Sequence, residues 1–250
     1  MNKLVILIPT FNEAATITET LGKLAEFRSV SKTDFDVVII DDNSPDKTAE
    51  IVDNMSINWV SILRRPQKAG LGAAYRAGFL RVLDADKHTH VVTMDADGSH
   101  RVEDLPRLIA GIKAGKSITL GTRWMPGGSV LNWPKSRQLL SKVGTRYAKF
   151  VLGLDLNDLT GGFRIYSVEL LKSLRISEMD ATGYCFQIEM AMAADLADAN
   201  VAEVPITFVE RRNGVSKMTK SIVIESLIQT TRWGLQRRLR PNADKLHYVK

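Results

Sequence analysis

The first half of the chain alternates short, continuous apolar runs with stretches of helical spacing. That alternation limits the fold more than any other feature. Residues 4–8 are apolar throughout and rich in β-branched types, the pattern of a strand buried on both faces. Ile17, Leu21 and Leu24 follow at spacings of four and three, which makes one helix face. The strand pattern recurs at 37–40, 59–63, 91–94 and 117–121. Helical segments separate these runs, at 48–54, at 71–83 and around Leu105, Leu108, Ile109 and Ile112. The expectation is an α/β fold, Rossmann-like, with a mostly parallel sheet and helices on both faces. This half ends near residue 122.

The second half is less regular. A helix is expected over 133–152, a short strand over 159–167 with Gly161 and Gly162 inside it, and a helix over 184–199. Residues 201–209 alternate like a strand, and a last helix runs over 219–240. Hydrophobic residues make up 44% and charged residues 25%, which excludes a disordered or fibrous chain. The one cysteine, Cys185, excludes an intrachain disulfide and any zinc site with two cysteine ligands. No apolar stretch is long enough to span a bilayer, and the first residues lack the form of a signal peptide, so a cytoplasmic location is expected. The net charge is +6, but residues 211–250 hold ten basic side chains against two acidic ones, so the basic character belongs to the tail. Such an asymmetry points to a polyanionic partner or to a solvated tail.

In an open parallel sheet, ligands bind beyond the carboxyl ends of the strands. Here those ends are polar. The first continues into Pro9-Thr10-Phe11-Asn12-Glu13, the second into Asp41-Asp42-Asn43-Ser44, and the fourth into Asp95-Ala96-Asp97-Gly98-Ser99. Carboxylates gathered on one edge repel unless a cation or hydrogen-bond donors sit among them. A GxGxxG turn and a GxxxxGK[ST] loop are both missing, which disfavours a dinucleotide cofactor and a P-loop NTPase. The Asp95-x-Asp97 turn offers hard oxygen ligands suited to Mg²⁺ or Mn²⁺ shared with substrate phosphates. An isolated turn of this type is more often a helix cap. Its place after an apolar strand, among other acidic strand ends, favours the metal.

At this point the residues resemble a known family. The segments IPTFNE, VVIIDDNSPDKT, GLGAAYRAG, MDADGSH and GTR look like family-2 glycosyltransferases of the GT-A fold. The later LNDLTGGFRIY, GYCFQIEM and EVPITFVERRNGVSK resemble dolichol-phosphate (polyprenol-phosphate) mannose synthases. The resemblance implies a catalytic domain over 1–218, with a nucleotide-binding half (1–122) and an acceptor half (123–218). Residues 219–250 would then form a basic amphipathic helix and tail. It implies an inverting transfer of mannose from GDP-mannose to a polyprenyl monophosphate, giving a β-linked product and GDP, with Mg²⁺ or Mn²⁺.

Position by position, the resemblance implies that Pro9, Phe11, Glu13, Ile40, Asp42, Asp95, Ala96 and Asp97 contact the nucleotide-sugar. Phe11 stands where the family often has tyrosine. Asp97 would be the direct metal ligand, with Asp95 and Ser99 beside it. Ser99 replaces the glutamine of some relatives. Arg123, Arg211 and Lys217 match cations on the diphosphate, and Arg137 and Ser141 match the acceptor-phosphate pair. Arg137 and Ser141 are four apart, one face of a helix. A lipid phosphate is already anionic at pH 7, so the transfer needs positioning and charge stabilisation rather than a general base.

The histidines read as ordinary polar residues and Cys185 as packing. Trp124 and Trp133 flank a loop at 125–129. The tail places Ile224, Leu227, Ile228, Leu235 and Leu239 near helical spacing, with Trp233 and arginines. Such a helix lies in a membrane interface or packs on the catalytic domain. The lipid substrate favours peripheral attachment to the cytoplasmic face of a membrane, and a separate membrane protein could serve as anchor. Two alternatives remain: another donor such as UDP-glucose, and a basic nucleic-acid-binding module. The latter lacks a recognition motif, and the acidic sheet edge would repel phosphates, so nucleic acid is not expected as a partner.

Overall fold

The computed structural model describes residues 3–181, 183, 185–210, 220–239 and 241–250, with the backbone alone at 220–222 and 241–244. The first half alternates as the sequence predicts: β1 (Leu4–Thr10), α1 (Ile17–Ser31), β2 (Phe35–Asp41), α2 (Thr48–Asn54), β3 (Val60–Arg64), α3 (Leu71–Ala85), β4 (His90–Thr93), α4 (Leu105–Lys113) and β5 (Ile118–Thr122). Then follow β6 (Ser129–Leu131), α5 (Lys135–Leu152), β7 (Arg164–Ser167), α6 (Val168–Ser173), α7 (Cys185–Leu196), β8 (Val201–Pro205), β9 (Thr207–Val209), α8 (Lys220–Leu239) and α9 (Pro241–Tyr248).

Seven strands form one sheet in the order β3-β2-β1-β4-β7-β5-β8, and β6 pairs with β9 apart from it. Strand β7 runs antiparallel to β4 and β5, while the other pairs of the large sheet are parallel. The order moves outward from β1 through β2 to β3, then resumes on the other side of β1 with β4. The loops after β1 and β4 therefore diverge and leave a crevice at the carboxyl edge.

Continuous apolar strands bury both faces of the sheet. Val5 and Leu7 of β1 join a core with Val38, Ile40, Tyr75 and Phe79, on the side of α3 and α7. Leu4, Ile6 and Ile8 join the opposite core with Ile17, Leu21, Leu105 and Leu108, on the side of α1 and α4. Helix α3 lies so close to the sheet that a Cβ on Gly78 would stand 2.5 Å from Ile40 Cδ1.

Two expected strands are shorter than their patterns. Of residues 159–167 only β7 is extended, because Arg164, fully buried, gathers the carbonyls of the preceding loop. Its Nε donates to Gly161 O at 2.8 Å, Nη2 to Leu159 O at 3.0 Å, and Nη1 to Gln187 O at 2.7 Å. The run at 201–209 splits into β8 and β9, in different sheets. The ladder to β5 ends with Ile206 N on Thr122 O at 3.1 Å; Ile206 O then accepts from Ser129 N at 3.0 Å, and Thr207 N donates to Asp104 Oδ2 at 2.9 Å.

The tail has one helix more than its pattern suggests. Helix α8 packs on α5, where Tyr147 and Thr231 hydroxyls meet at 2.5 Å, and it buries Trp233. Helix α9 folds back so that Tyr248 O accepts from Arg175 N at 2.9 Å. Of the two placements considered for the tail, the structure shows packing on the catalytic domain. One face is packed, while Ile224, Leu227, Ile228, Leu235 and Leu239 stay exposed. On α5, Leu139, Leu140, Val143 and Phe150 are exposed as well.

Candidate active site

The loops after β1 and β2 are knitted together by two of the three aspartates near the end of β2. Asp41 accepts from Thr10 Oγ1 at 2.9 Å, from Ser44 Oγ at 2.6 Å and from Ser44 N at 2.9 Å. Asp46 accepts from Thr48 Oγ1 at 2.6 Å and Ala14 N at 2.9 Å. Burial pushes the Asp46 carboxyl up, but these hydrogen bonds outweigh it and hold it below its ordinary value. Asn12 N and Glu13 N donate to Ser44 Oγ and Thr48 Oγ1 at 3.1 and 3.0 Å. Asp42 differs. It faces the crevice, accepts from Arg65 Nη1 at 2.6 Å, and is raised by burial more than Arg65 lowers it.

Pro9, Phe11, Glu13, Asp42, Asp95, Ala96 and Asp97 line one cavity of about 260 Å³. Seven of the expected nucleotide-sugar residues are thus brought together. Lys68, Gly70, Leu71 and Gly183 line it too and were not anticipated. The Lys68 ammonium lies 4.2 Å from the Phe11 ring centre, a cation–π contact. Its place just before the Gly70-Leu71-Gly72 helix start was the available signal. Ile40 is a correction: it does not line this cavity, and its side chain is fully buried against α3.

The Asp95–Asp97 turn is held from both sides. Thr20 Oγ1 donates to Ala96 O at 2.9 Å, Ser99 N donates to Asp97 Oδ1 at 3.0 Å, and Asp95 N donates to His100 Nδ1 at 2.9 Å. Two carboxylates on one turn fit a hard divalent ion whose shell is completed by phosphates and water. Among the described residues no group of three His, Cys, Asp or Glu converges as a full protein cage. Ser99 is a second correction. Its hydroxyl is buried without a hydrogen-bond partner, and the residue lines neither this cavity nor the cleft of about 200 Å³ on the other side of Asp97. Its contribution is the backbone N–H.

Arg123 does not reach into the cavity. Its Nε and Nη2 donate to Asp158 Oδ2 and Oδ1 at 2.6 and 2.8 Å, and Nη2 also meets Thr160 Oγ1 at 2.7 Å. Both partners are buried, and Trp124, Trp133 and Phe208 rings surround the guanidinium at 5.3–5.5 Å. Burial alone would raise the Asp158 carboxyl, but Arg123 draws it below the ordinary value. Arg137 and Ser141 do share a face of α5. The Arg137 guanidinium lies 4.1 Å from the Trp133 ring centre and forms an ion pair with Glu210. Arg211 and Lys217 lie outside the described residues.

With this geometry in place, comparison with known proteins decides the family. Residues 5–175 match the description glycosyl transferase family 2. The chain belongs to that family. This family-2 glycosyltransferase is 40% identical over 237 residues to the polyprenol monophosphomannose synthase of Mycolicibacterium smegmatis, covering 94% of this chain and 88% of that one. It is 40% identical over 238 residues to the undecaprenyl-phosphate mannosyltransferase of Micrococcus luteus, covering 94% and 96%. Among solved structures, it superposes on glucosyl-3-phosphoglycerate synthase from Mycobacterium tuberculosis bound to phosphoglyceric acid. The TM-score is 0.68 at 19% identity, over 92% of this chain and 80% of that one. The same synthase with Mn²⁺, UDP-glucose and phosphoglyceric acid gives a TM-score of 0.67 at 20% identity, with the same coverage. The glycosyltransferase thus has the GT-A fold, as its sequence pattern implied.

Two minor expectations for the glycosyltransferase also meet the structure. Cys185 is buried, and burial pushes its thiol up, away from a reactive thiolate. His100 is not an ordinary polar residue but a buried partner of the Asp95–Asp97 turn.

Proposed function

We propose that this glycosyltransferase moves mannose from GDP-mannose to a polyprenyl monophosphate, with inversion, giving β-linked polyprenyl-phosphate mannose and GDP. The observation that carries the reading is the meeting of the β1, β2 and β4 ends in one cavity that holds both aspartates of the Asp95–Asp97 turn. It stands in a chain 40% identical over nearly its whole length to proteins named for this transfer.

Phe11 offers an aromatic face to the base, and Asp42 and Glu13 offer acceptors to its N–H groups or to the ribose hydroxyls. Asp95 and Asp97 hold Mg²⁺ or Mn²⁺, which when bound offsets the charge of the leaving diphosphate. Arg211 and Lys217 add cations to that diphosphate. Arg137 and Ser141 take the acceptor phosphate, which exchanges for Glu210 on the Arg137 guanidinium. That phosphate attacks the anomeric carbon as an anion, so the chain supplies alignment and charge rather than proton removal.

Among the described residues, no helix is long and apolar enough to cross a membrane. Helix α5 leaves Leu139, Leu140, Val143 and Phe150 exposed, with Lys142, Arg146 and Lys149 along one flank. Such a face suits the interface of an anionic bilayer, where the polyprenyl phosphate is presented. The test is transfer of labelled mannose from GDP-mannose to a short polyprenyl phosphate, with Mn²⁺ or Mg²⁺ and with EDTA. Metal-dependent label in the organic phase supports the reading. Transfer from UDP-glucose but not GDP-mannose refutes the donor.

A further inference from the structure

We propose that His100 is a positioning residue for the metal turn, acting through a hydrogen bond acceptor rather than as a ligand or a proton carrier. The inference rests on the reading of Asp95 and Asp97 as metal ligands. His100 has only 2% of its surface exposed. Its ring stacks on Phe163 with centroids 4.9 Å apart and planes 11° apart, and meets the Phe208 ring edge-on at 5.5 Å. A Cβ on Gly162 would touch the ring edge at 3.5 Å, so the segment carrying Gly161 and Gly162 closes a third side. The imidazole is thus held on three sides.

The fixed ring presents Nδ1 to the backbone N–H of Asp95 at 2.9 Å. A nitrogen that accepts carries no proton, so the proton of the neutral ring sits on Nε2. Nε2 lies 3.8 Å from Asp95 Oδ2, beyond hydrogen-bond range. Neither nitrogen is left to bind a metal. What His100 supplies is a buried acceptor for the peptide N–H at the first residue of the turn. The turn then holds both carboxylates at a set separation before a metal arrives, because a hydrogen bond behind a ligand fixes its orientation. Phe208 links this support to the acceptor side, because its ring packs on Trp133 at 5.2 Å, and Trp133 carries Arg137.

Three variants separate the acceptor from the ring. His100→Phe keeps the stacking and loses the acceptor. His100→Asn keeps an acceptor on the same carbon and loses the ring, and His100→Leu has the shape of the asparagine with neither. Mn²⁺ affinity is read by titration in the presence of saturating GDP, and folding stability by thermal melting. The expected result is a loss of about tenfold or more in Mn²⁺ affinity for His100→Phe and His100→Leu, on the scale of one unsatisfied buried N–H. His100→Asn should bind Mn²⁺ within about threefold of wild type despite melting lower than His100→Phe, the tenfold step being about 1.4 kcal/mol. Affinity that follows melting temperature instead, with asparagine as weak as leucine, overturns the inference. If His100→Phe does not fold, the asparagine–leucine pair decides alone. Wild-type protein that binds GDP equally well with Mn²⁺ and with EDTA refutes the metal reading itself, a different failure from equal Mn²⁺ binding by all three variants.

Discussion

Replacing Asp158 with asparagine tests what Arg123 is for. The carboxylate takes the Arg123 Nε, Nη2 and backbone N–H, and also the N–H groups of Thr160 and Gly161, at 2.6–3.2 Å. An asparagine can satisfy the loop amides with its oxygen, but its own NH₂ then faces a guanidinium donor. A cation about 5% exposed is left without a counter-charge. Removing one partner of a buried ion pair costs about 3–5 kcal/mol. For a chain of this length that is a fall of about 6–20 °C in melting temperature, at 2–4 °C per kcal/mol. The pH dependence has a definite sign. Asp158 is held below its ordinary value, so its contribution is full above the unfolded value and is lost as pH falls through the folded one. Asp158→Asn should therefore narrow its deficit against wild type below about pH 4. Melting is followed by circular dichroism from pH 3 to 8. A variant that melts within about 2 °C of wild type at pH 7, yet binds GDP and Mn²⁺ poorly, refutes the structural role and returns Arg123 to the diphosphate.

Other outcomes follow from the same geometry. Glu189, buried beneath the Asp180 and Ala181 amides, is pushed up to about 7 by burial, which those two hydrogen bonds only partly oppose. A raised acid contributes stability below its unfolded value and loses it as pH rises through the folded one, so wild type should lose on the order of 3 kcal/mol from pH 4.5 to 8 through this group. Glu189→Gln should flatten that limb in denaturant titrations, and an unchanged slope would sink the assignment. Glu210→Gln releases Arg137 from its partner and should lower the polyprenyl-phosphate KM several-fold, the scale of a half-buried pair worth about 1 kcal/mol, with GDP affinity unchanged. A raised KM would mean that Glu210 helps to hold the acceptor. Leu139→Ser with Phe150→Ser should weaken sedimentation with anionic vesicles at least tenfold while shifting melting by less than about 2 °C, since both side chains are exposed. Unchanged sedimentation would move the membrane contact elsewhere.

The parallel half was legible because its strands are short, mainly apolar runs and its helices show their spacing, so local pattern and tertiary position agree. The second half hid its topology for a physical reason. A strand of four residues such as β7 carries no mark of direction, and only the return of the chain across the sheet makes it antiparallel. The alternation at 201–209 runs on unchanged, yet after Ile206 the chain turns its hydrogen bonds from β5 to β6, and the two pieces part between sheets. Helix α9 is short and mostly polar, and it is fixed by what Tyr248 and Val249 meet rather than by its own pattern.

At the site, positions were legible and partnerships were not. The acidic strand ends announced the cavity, but nothing in Asp41-Asp42 says which carboxylate braces the loop and which faces the ligand. Arg123 and Arg137 read as cations aimed at phosphate, because a sequence shows charge without its counter-charge. In the folded chain Asp158 and Glu210 occupy them. The described cavity wall then carries Glu13, Asp42, Asp95 and Asp97 against the Lys68 ammonium. A nucleoside diphosphate is itself an anion, so that wall repels it unless a cation comes with it. On the proposed reading these carboxylates would receive a metal–diphosphate unit, and the Arg137 guanidinium, released from Glu210, would meet the second, lipid-borne anion.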